Sequence, residues 1–337
     1  MPDFVYRSIK LKQVLMMTER ERFIKALKRE PLTGHVPTFE LVFYLTMESI
    51  HKVHPSQRSF SQWNQMSISE KKAQMADMAD CYIDIAKKYH HSAIFVHPNP
   101  GDFDNTVWLM ETIREKSGGE FFIMMHGDPT FSMPDGNYME EFTEMLYEEE
   151  DAVKLEAGLR MNNSVAFAEK LQKHPGLLDG FALCSDYCFN VNPFFSPAMF
   201  DTFIVPYLSG VISAYREMGF YSIKHTDGNI MPIAQQMVDC KPDALHSLDP
   251  QGGVSLQEMR CLYGDKVALI GNVNCGLLQT GTEEECTADV MRSLRDGMAG
   301  YGYIFSTSNC AYTGLPLERY ELMNRLWWEH GVYPDKM

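Results

Sequence analysis

Short apolar runs recur along the chain and alternate with longer stretches of helical periodicity. The runs are rich in Val, Ile, Phe and Tyr, the composition of buried β-strands. We expect one strand from each of eight runs. They cover residues 36–43, 92–98, 121–127, 180–186, 221–227, 244–250, 267–273 and 303–309.

Between the runs, apolar residues return every three or four positions, which predicts amphipathic helices. Such patterns cover residues 69–89, 196–219, 282–297 and 315–331. Ser196 is expected to cap the second of these helices, with Pro197 at its first position. In the third, Thr282 is followed three residues later by Glu285, and Gly297 stands near the end. This spacing is typical of a capping box and a glycine stop.

Eight strands that alternate with helices predict a parallel sheet with crossover helices. Eight is the number that closes a (β/α)8 barrel, and a chain of 337 residues suits that fold. An open, doubly wound sheet is the alternative, but its first strand often leads into a glycine-rich phosphate loop, and here it leads into YLTMESI. We therefore expect an α/β fold, a (β/α)8 TIM barrel forming a single domain over residues 1–337, with an N-terminal helical extension.

Polar side chains follow the ends of all eight predicted strands. In a barrel these ends open into one shared mouth, where barrel enzymes carry their active sites. A barrel built for stability alone needs no such series, so the sequence predicts a functional mouth. The residues are Glu40, His97, His126 with Asp128, Asp186, His225 with Asp227, Asp249, Asn272 with Asn274, and Cys310.

The net charge of −15 argues against nucleic acid or an anionic membrane as the main partner, because phosphate binding needs a basic surface. The sequence contains no stretch of about 18 apolar residues, which is the length that a transmembrane helix needs. The N-terminal sequence lacks the apolar core of a signal peptide. The eight cysteines contain no CxxC spacing, which fits free thiols in a reducing compartment. We therefore expect a cytoplasmic protein.

The triplet His225-Thr226-Asp227 is the strongest candidate for chemistry. Residues i and i+2 of a strand face the same way, so the imidazole and the carboxylate would share one direction if the strand persists. Such a pair can hold a metal, orient a base or bind a polar substrate, and a purely structural pairing is the alternative. Cys310 follows the strand opposite in the predicted barrel, and a thiolate with an imidazole suits Zn²⁺. A small buried residue is the other interpretation of Cys310.

Asp186, at the end of the fourth predicted strand, is a candidate to orient the substrate or to support the imidazole, and a turn cap is the alternative. Further candidates for substrate binding are Glu40, His126, Tyr187 and Asn229. The aromatic residues around 181–200, Tyr187 among them, suit the wall of an apolar pocket, and core packing explains them equally well.

Five segments, in order along the chain, resemble the uroporphyrinogen decarboxylase superfamily. The resemblance implies a (β/α)8 barrel, in agreement with the strand count. The superfamily includes tetrapyrrole decarboxylases and corrinoid-linked methyltransferases. The segments cover residues 20–37, 196–208, 224–250, 262–285 and 305–323.

Two features separate these branches. The decarboxylases hold substrate carboxylates with arginines just after the first strand, in a segment resembling RQAGR, whereas this chain has no arginine in the equivalent stretch before Arg58. They also carry His where this chain has Cys310. The methyltransferase branch implies a zinc ion held by a His-x-Cys pair and a later Cys, which correspond to His225, Asp227 and Cys310. Asp227 departs from that pattern, but carboxylates are accepted zinc ligands. Alternatively, Glu40 or Asp186 completes the ligand set.

The resemblance thus predicts a zinc-dependent methyltransferase that moves a methyl group between a small molecule and a corrinoid, with Asp186, His225 and Asp227 as catalytic residues. The chain has no D-x-H-x-x-G corrinoid motif, so the corrinoid is expected on a separate partner protein. Two alternatives remain. One is a decarboxylase that acts on a different acid, and the other is a non-catalytic protein that binds a tetrapyrrole or a corrinoid partner.

Overall fold

A computed structural model describes residues 17–334 of the chain. Strands β2 to β8 form one parallel sheet in chain order, each paired with the next. Strands β1 and β9 form a separate antiparallel pair. The strands are β1 (Gly34–His35), β2 (Ala93–Val96), β3 (Phe122–His126), β4 (Gly180–Cys184), β5 (Tyr221–Thr226), β6 (Ala244–Ser247), β7 (Ala268–Ile270), β8 (Tyr303–Ile304) and β9 (Val332–Tyr333).

Helices fill the connections between the strands, as the right-handed crossovers of a parallel sheet require. They are α1 (Glu19–Leu27), α2 (Thr46–Ile50), α3 (Ile68–Lys88), α4 (Phe103–Ser117), α5 (Met139–Glu148), α6 (Glu150–Gln172), α7 (Pro197–Phe203), α8 (Val205–Glu217), α9 (Ala234–Asp239), α10 (Leu256–Tyr263), α11 (Cys275–Thr280), α12 (Glu283–Gly297) and α13 (Leu317–His330). Short 3-10 turns cover Pro55–Gln57, Trp63–Gln65, Met231–Ile233 and Pro250–Gly252.

The prediction of a first strand over residues 36–43 is wrong, because this segment forms only isolated parallel bridges. Thr38 bridges Phe305 and Phe43 bridges Ala311, both beyond β8. On its other side, the carbonyl of Thr38 accepts a hydrogen bond from the N–H of Ser92, just before β2. Pro37 has no N–H to donate, which prevents a continuous ladder there. The segment therefore lies between the two ends of the sheet and gives an α/β, barrel-like fold with seven regular parallel strands.

The helix predicted over residues 196–219 also differs, because it breaks at Ile204 into α7 and α8. Pro206, in the first turn of α8, has no N–H and cannot continue the helical hydrogen bonds of α7. Ser196 caps α7 as predicted, accepting from the N–H of Met199.

The boundaries predicted for α12 are confirmed, since the helix starts after Thr282 and ends at Gly297. Thr282 and Glu285 each accept a hydrogen bond from the other's backbone N–H, completing the capping box.

Helix α1 covers the amino-terminal end of the sheet. Phe23 packs edge-on against Phe39, with ring centroids 5.6 Å apart, and lies 4.7 Å from the ring of Phe122 at the start of β3. Arg20, also on α1, pairs with buried Asp179 just before β4. This packing closes the amino-terminal end, so the polar residues at the carboxyl ends of the strands occupy the opposite face.

No single helix within residues 17–334 has the length and apolar composition to span a membrane, although α7 and α8, bent by 49°, reach that composition together. All eight cysteines are free thiols. The N-terminal sequence examined for a signal peptide lies almost entirely outside the described residues, as does part of the predicted N-terminal extension.

Candidate functional site

Three side chains of metal-ligand type meet beyond the carboxyl ends of β4 and β5. Nε2 of His225 lies 3.8 Å from Oδ1 of Asp186 and 3.8 Å from Oδ1 of Asp227. One ligand atom from each residue lies within 4.8 Å of the other two. This spacing suits three atoms around one ion, because Zn²⁺ binds nitrogen and oxygen at about 2.0–2.2 Å.

The local backbone explains how these residues converge. Strand β5 ends at Thr226, so Asp227 lies one residue past the ladder, yet its carboxylate still faces the imidazole of His225. The backbone N–H of Asp227 donates to Oδ1 of Asp186 at 3.1 Å. Gly228 then turns the chain with φ of +78°, and a Cβ at this position would lie 2.4 Å from the carbonyl oxygen of Phe189. Only glycine fits both that backbone conformation and that contact.

One oxygen of Asp227 is a buried acceptor without a partner. Its Oδ2 accepts a short hydrogen bond from Nδ2 of Asn309, whereas Oδ1 is buried without a hydrogen-bond partner. Burial raises the pKa of Asp227 to about 7, the negative charges of Asp186 and Asp249 add to the rise, and the nearby hydroxyl of Ser247 partly offsets it. Leaving a buried carboxylate oxygen unpaired costs free energy, so this atom favours a proton, a cation or the hydroxyl of Ser247, which is also buried without a partner.

The opposite edge of the His225 ring contacts a second buried histidine. Nδ1 of His225 lies 2.8 Å from Nδ1 of His246, and Nε2 of His246 lies 3.2 Å from the carbonyl oxygen of Thr307. Burial lowers the pKa of His225 to about 4, partly offset by the negative charge of Asp186. The imidazole of His225 is therefore neutral near pH 7, which is the form that binds metals.

A fully buried ion pair between Lys224 and Asp128 lies next to this site and stabilises the strand ends that carry it. Nζ of Lys224 lies 2.7 Å from Oδ2 of Asp128, and both side chains are inaccessible to solvent. The ammonium also donates to the carbonyl oxygens of Leu183 and Ser185 at the end of β4. The pair therefore ties β5 to the loops that follow β3 and β4, including the loop that carries Asp186.

A cavity of about 270 Å³ lies next to the loop that carries Asp186, although Asp186, His225 and Asp227 do not line it. The N–H of Met133, on its wall, donates to the backbone carbonyl of Asp186 at 2.6 Å. The cavity is mainly aromatic and thioether in character, with one charged pair, Glu156 and Arg160. Its remaining lining residues include Phe131, Tyr138, Phe142, Met145 and Ala152.

The structure places the other predicted metal ligand, Cys310, outside the group of three. The thiol is partly buried, and burial raises its pKa strongly, with Cys275, Glu40 and Asp227 adding to the rise. Its role as a ligand stays a prediction.

Glu40 faces a different environment from the one predicted for a substrate-binding residue. Its carboxyl accepts hydrogen bonds from the hydroxyl of Thr307, at 2.5 Å, and from the N–H of Thr307, at 3.3 Å. It lines a small cavity of about 30 Å³ with His54 and His91. Burial raises its pKa to about 8.

The remaining three candidates for substrate binding differ in their burial and in their contacts. Tyr187 is fully buried, and its hydroxyl is 2.6 Å from that of Thr130. Asn229 fixes the turn after β5, because its side chain donates to the carbonyl of Val191 and accepts from the N–H of Met231. His126 is the exposed last residue of β3. Substrate contact by these residues stays a prediction.

Sequence reasoning missed two residues of the site, His246 and Asn309. His246 lies inside the predicted sixth strand, directly opposite His225 in the pairing of β5 with β6. Aligning the ends of the two predicted strands would have placed His225 opposite Leu248, so the contact between the two histidines depends on the observed register. Asn309 stands one residue before Cys310, and its position at a strand exit was the only available signal.

Comparison with known families gives one match. The model of the family described as uroporphyrinogen decarboxylase (URO-D) matches residues 136–327, which is more than half of the chain. No curated protein matches the chain.

Among solved structures, a methyltransferase from Methanosarcina mazei superposes with a TM-score of 0.69 at 17% identity, covering 93% of this chain and 99% of the other. This likeness concerns the fold. An α-amylase from Geobacillus thermoleovorans (6% identity, 76% and 72% covered) and a sugar phosphate isomerase/epimerase from Parabacteroides distasonis (12% identity, 79% and 93% covered) both give TM-scores of 0.43.

Proposed function

The chain belongs to the uroporphyrinogen decarboxylase family, and we propose that it is a zinc-dependent methyltransferase that moves a methyl group between a small molecule and a corrinoid. The observation that carries the proposal is the group formed by Asp186, His225 and Asp227. The fold shared with a protein named as a methyltransferase supports the same assignment. We take the fold to be a closed (β/α)8 barrel in which residues 36–44 occupy the place of the first strand.

The donor set fits zinc. A neutral imidazole and two carboxylates are all accepted zinc ligands, and they leave a further position open. The buried Oδ1 of Asp227, which makes no hydrogen bond, would be satisfied by coordinating a cation. With Asp227 ionised, the two carboxylates and the neutral imidazole give the site a net negative charge, which a divalent ion would neutralise.

Zinc at such a site would act as a Lewis acid, either lowering the pKa of a bound thiol or polarising the leaving group of a methyl donor. The protein would supply the positions of the ligands. Asp186 would hold Asp227 through its hydrogen bond to the backbone N–H, and Asn309 would orient the same carboxylate from the opposite side. Cys310 remains our candidate for a further ligand, since its burial keeps it protonated until a cation lies beside it.

The cavity beside Asp186 is our candidate for the body of the small substrate. Aromatic and thioether side chains line most of it, which suits an apolar group, and the Arg160–Glu156 pair lies at its charged part. The corrinoid would be carried by a partner protein that docks at the mouth. A cytoplasmic location goes with this proposal.

A decarboxylase is the second candidate. The raised pKa of Asp227, about 7, favours it because a carboxyl with such a pKa can protonate a carbanion at neutral pH. Against it, Arg58, the arginine nearest to the position of the family's carboxylate-binding arginines, pairs with Asp77 on α3 at 2.6 Å.

Metal content and methyl transfer test the proposal together. Protein purified without chelators should contain about one zinc ion per chain, and the His225→Ala variant should lose most of it. The exposed His330→Ala is the matched control and should keep its zinc. Free methylcobalamin, offered with a panel of thiols, should lose its methyl group to one of them in a zinc-dependent reaction; free cob(I)alamin, offered with methylated amines and aryl methyl ethers, should gain one. Release of CO2 from an acid by metal-free protein would favour the decarboxylase instead.

A further inference from the structure

A chain of hydrogen bonds adjoins the proposed metal site and joins the carbonyl of Thr307, the ring of His246 and the ring of His225. Their contacts are 3.2 Å from the carbonyl oxygen to Nε2 of His246 and 2.8 Å between the two Nδ1 atoms. The two histidines are also direct partners in the pairing of β5 with β6. His246 is 1% exposed, so water does not compete for these contacts.

The chemistry of each group fixes the direction of the hydrogen bonds. A backbone carbonyl only accepts, so Nε2 of His246 must carry a proton and donate it to Thr307. The hydroxyl of Ser306 lies farther from the same nitrogen, at 3.5 Å. Among the described residues, the ring nitrogens of His246 form hydrogen bonds only with Thr307, Ser306 and His225, and none of these groups is a carboxylate. A second proton would therefore leave a buried charge without a counter-ion, so the ring carries one proton only. Its Nδ1 is therefore an acceptor, and the proton shared between the rings belongs to Nδ1 of His225.

This direction determines the other side of His225. A neutral imidazole that is protonated at Nδ1 has a lone pair on Nε2. That nitrogen faces Oδ1 of Asp186 and Oδ1 of Asp227, each 3.8 Å away, which is too far for a hydrogen bond. The lone pair of Nε2 thus faces two carboxyl groups, an arrangement that a cation between them would stabilise.

We propose that His246 is a positioning residue that holds His225 in the Nδ1–H tautomer and so presents an unprotonated Nε2 to the metal. The inference rests on the proposed function for the identity of the ligand, but the tautomer itself is a property of the metal-free protein. The hydrogen-bonded neighbours of metal-ligating histidines commonly fix the tautomer and orientation of the ring. Here the neighbour is a second imidazole that is itself anchored to a carbonyl.

The first test is the tautomer. Nitrogen-15 NMR of metal-free wild-type protein at pH 7, with the His225 signals assigned by comparison with His225→Ala, should show the proton on Nδ1. A proton on Nε2 would overturn the proposal. This measurement tests the tautomer of His225 even if the wild-type protein binds no zinc. In that case the proposed function fails, but the inference about the tautomer does not.

The second test is zinc affinity, measured by competition with a fluorescent chelator. His246→Asn keeps an acceptor for Nδ1–H of His225 and should retain affinity within about threefold, whereas His246→Phe removes the acceptor and should weaken binding by about 10–100-fold. His91→Phe is the matched control: His91 is equally buried, bonds to Tyr320, and should leave zinc affinity unchanged. Equal affinity in His246→Phe and wild type would contradict the proposal. Thermal melts of each variant show whether the fold is retained.

Discussion

The backbone N–H of Asp227 donates to the carboxylate of Asp186 across the gap between the ends of β4 and β5. The two acidic residues are therefore a positioned pair, even though 41 residues separate them in the chain. Asp186 is half exposed, whereas Oδ1 of Asp227 is buried. One carboxylate thus faces the solvent and the other faces the interior, with the imidazole of His225 between them.

Asp186→Ala should weaken zinc binding by about 10–100-fold, because it removes both a negative ligand and the acceptor that holds Asp227. Chelator competition measures the change. Asp104→Ala, an exposed carboxylate in the first turn of α4, is the control and should have no effect. Affinity within twofold of wild type would exclude Asp186 from the site.

Lys224→Met should destabilise the fold by about 3–5 kcal/mol, because it leaves Asp128 as an uncompensated buried charge. Adding Asp128→Asn to this variant removes the charge and should recover at least half of the loss. Urea unfolding at pH 7 measures both. Lys116→Met breaks an exposed pair with Asp80 and should cost less than about 1 kcal/mol. A double variant no more stable than Lys224→Met would argue against this role of the buried charge.

Glu40 should make the protein less stable as the pH rises. Its pKa is about 8 in the folded protein, against an ordinary value of 4.5, so folding takes up a proton between these values. The stabilising contribution is complete below about pH 4.5 and is lost as the pH rises through 8. Glu40→Gln cannot ionise, so its free energy of unfolding should fall less steeply than that of wild type between pH 5 and 8. The exposed Glu141→Gln is the control, and parallel pH profiles for Glu40→Gln and wild type would refute the assignment.

Ala152→Phe should fill the cavity beside Asp186 without disturbing the core, since Ala152 is an exposed residue on its wall. We expect an increase of at least about tenfold in KM for the methylated substrate or acceptor that supports turnover, with unchanged zinc content. Leu155→Phe lies on the same helix but does not line the cavity, and its kinetics should match wild type. An unchanged KM in Ala152→Phe would place the substrate elsewhere.

Much of the fold follows from the apolar pattern. Seven buried runs became strands close to their predicted positions, because a fully buried parallel strand needs a short continuous apolar stretch. The first run was just as apolar but formed only bridges. Periodicity reports burial and says little about whether a complete ladder forms. The same limit explains α7 and α8, where a continuous apolar pattern conceals the break at Ile204.

The site was predictable where strand exits carry the chemistry, as for Asp186 at the end of the fourth predicted strand. His225 and Asp227 are neighbours in the sequence, so a strand period of two was enough to place them together. The contact between His225 and His246 depends on the register of two strands, and the distance from Cys310 to this group depends on the tilt of the sheet. Neither quantity is encoded in the spacing of residues along the chain.

The most direct test of the metal site is a crystal structure of protein purified without chelators, with anomalous data collected on both sides of the zinc absorption edge. Our account predicts an anomalous peak about 2.0–2.2 Å from Nε2 of His225 and from the carboxylates of Asp186 and Asp227. The same map shows whether Sγ of Cys310 joins them. Absence of a peak at this position, or Nε2 of His225 donating a hydrogen bond where the ion should be, would contradict the account.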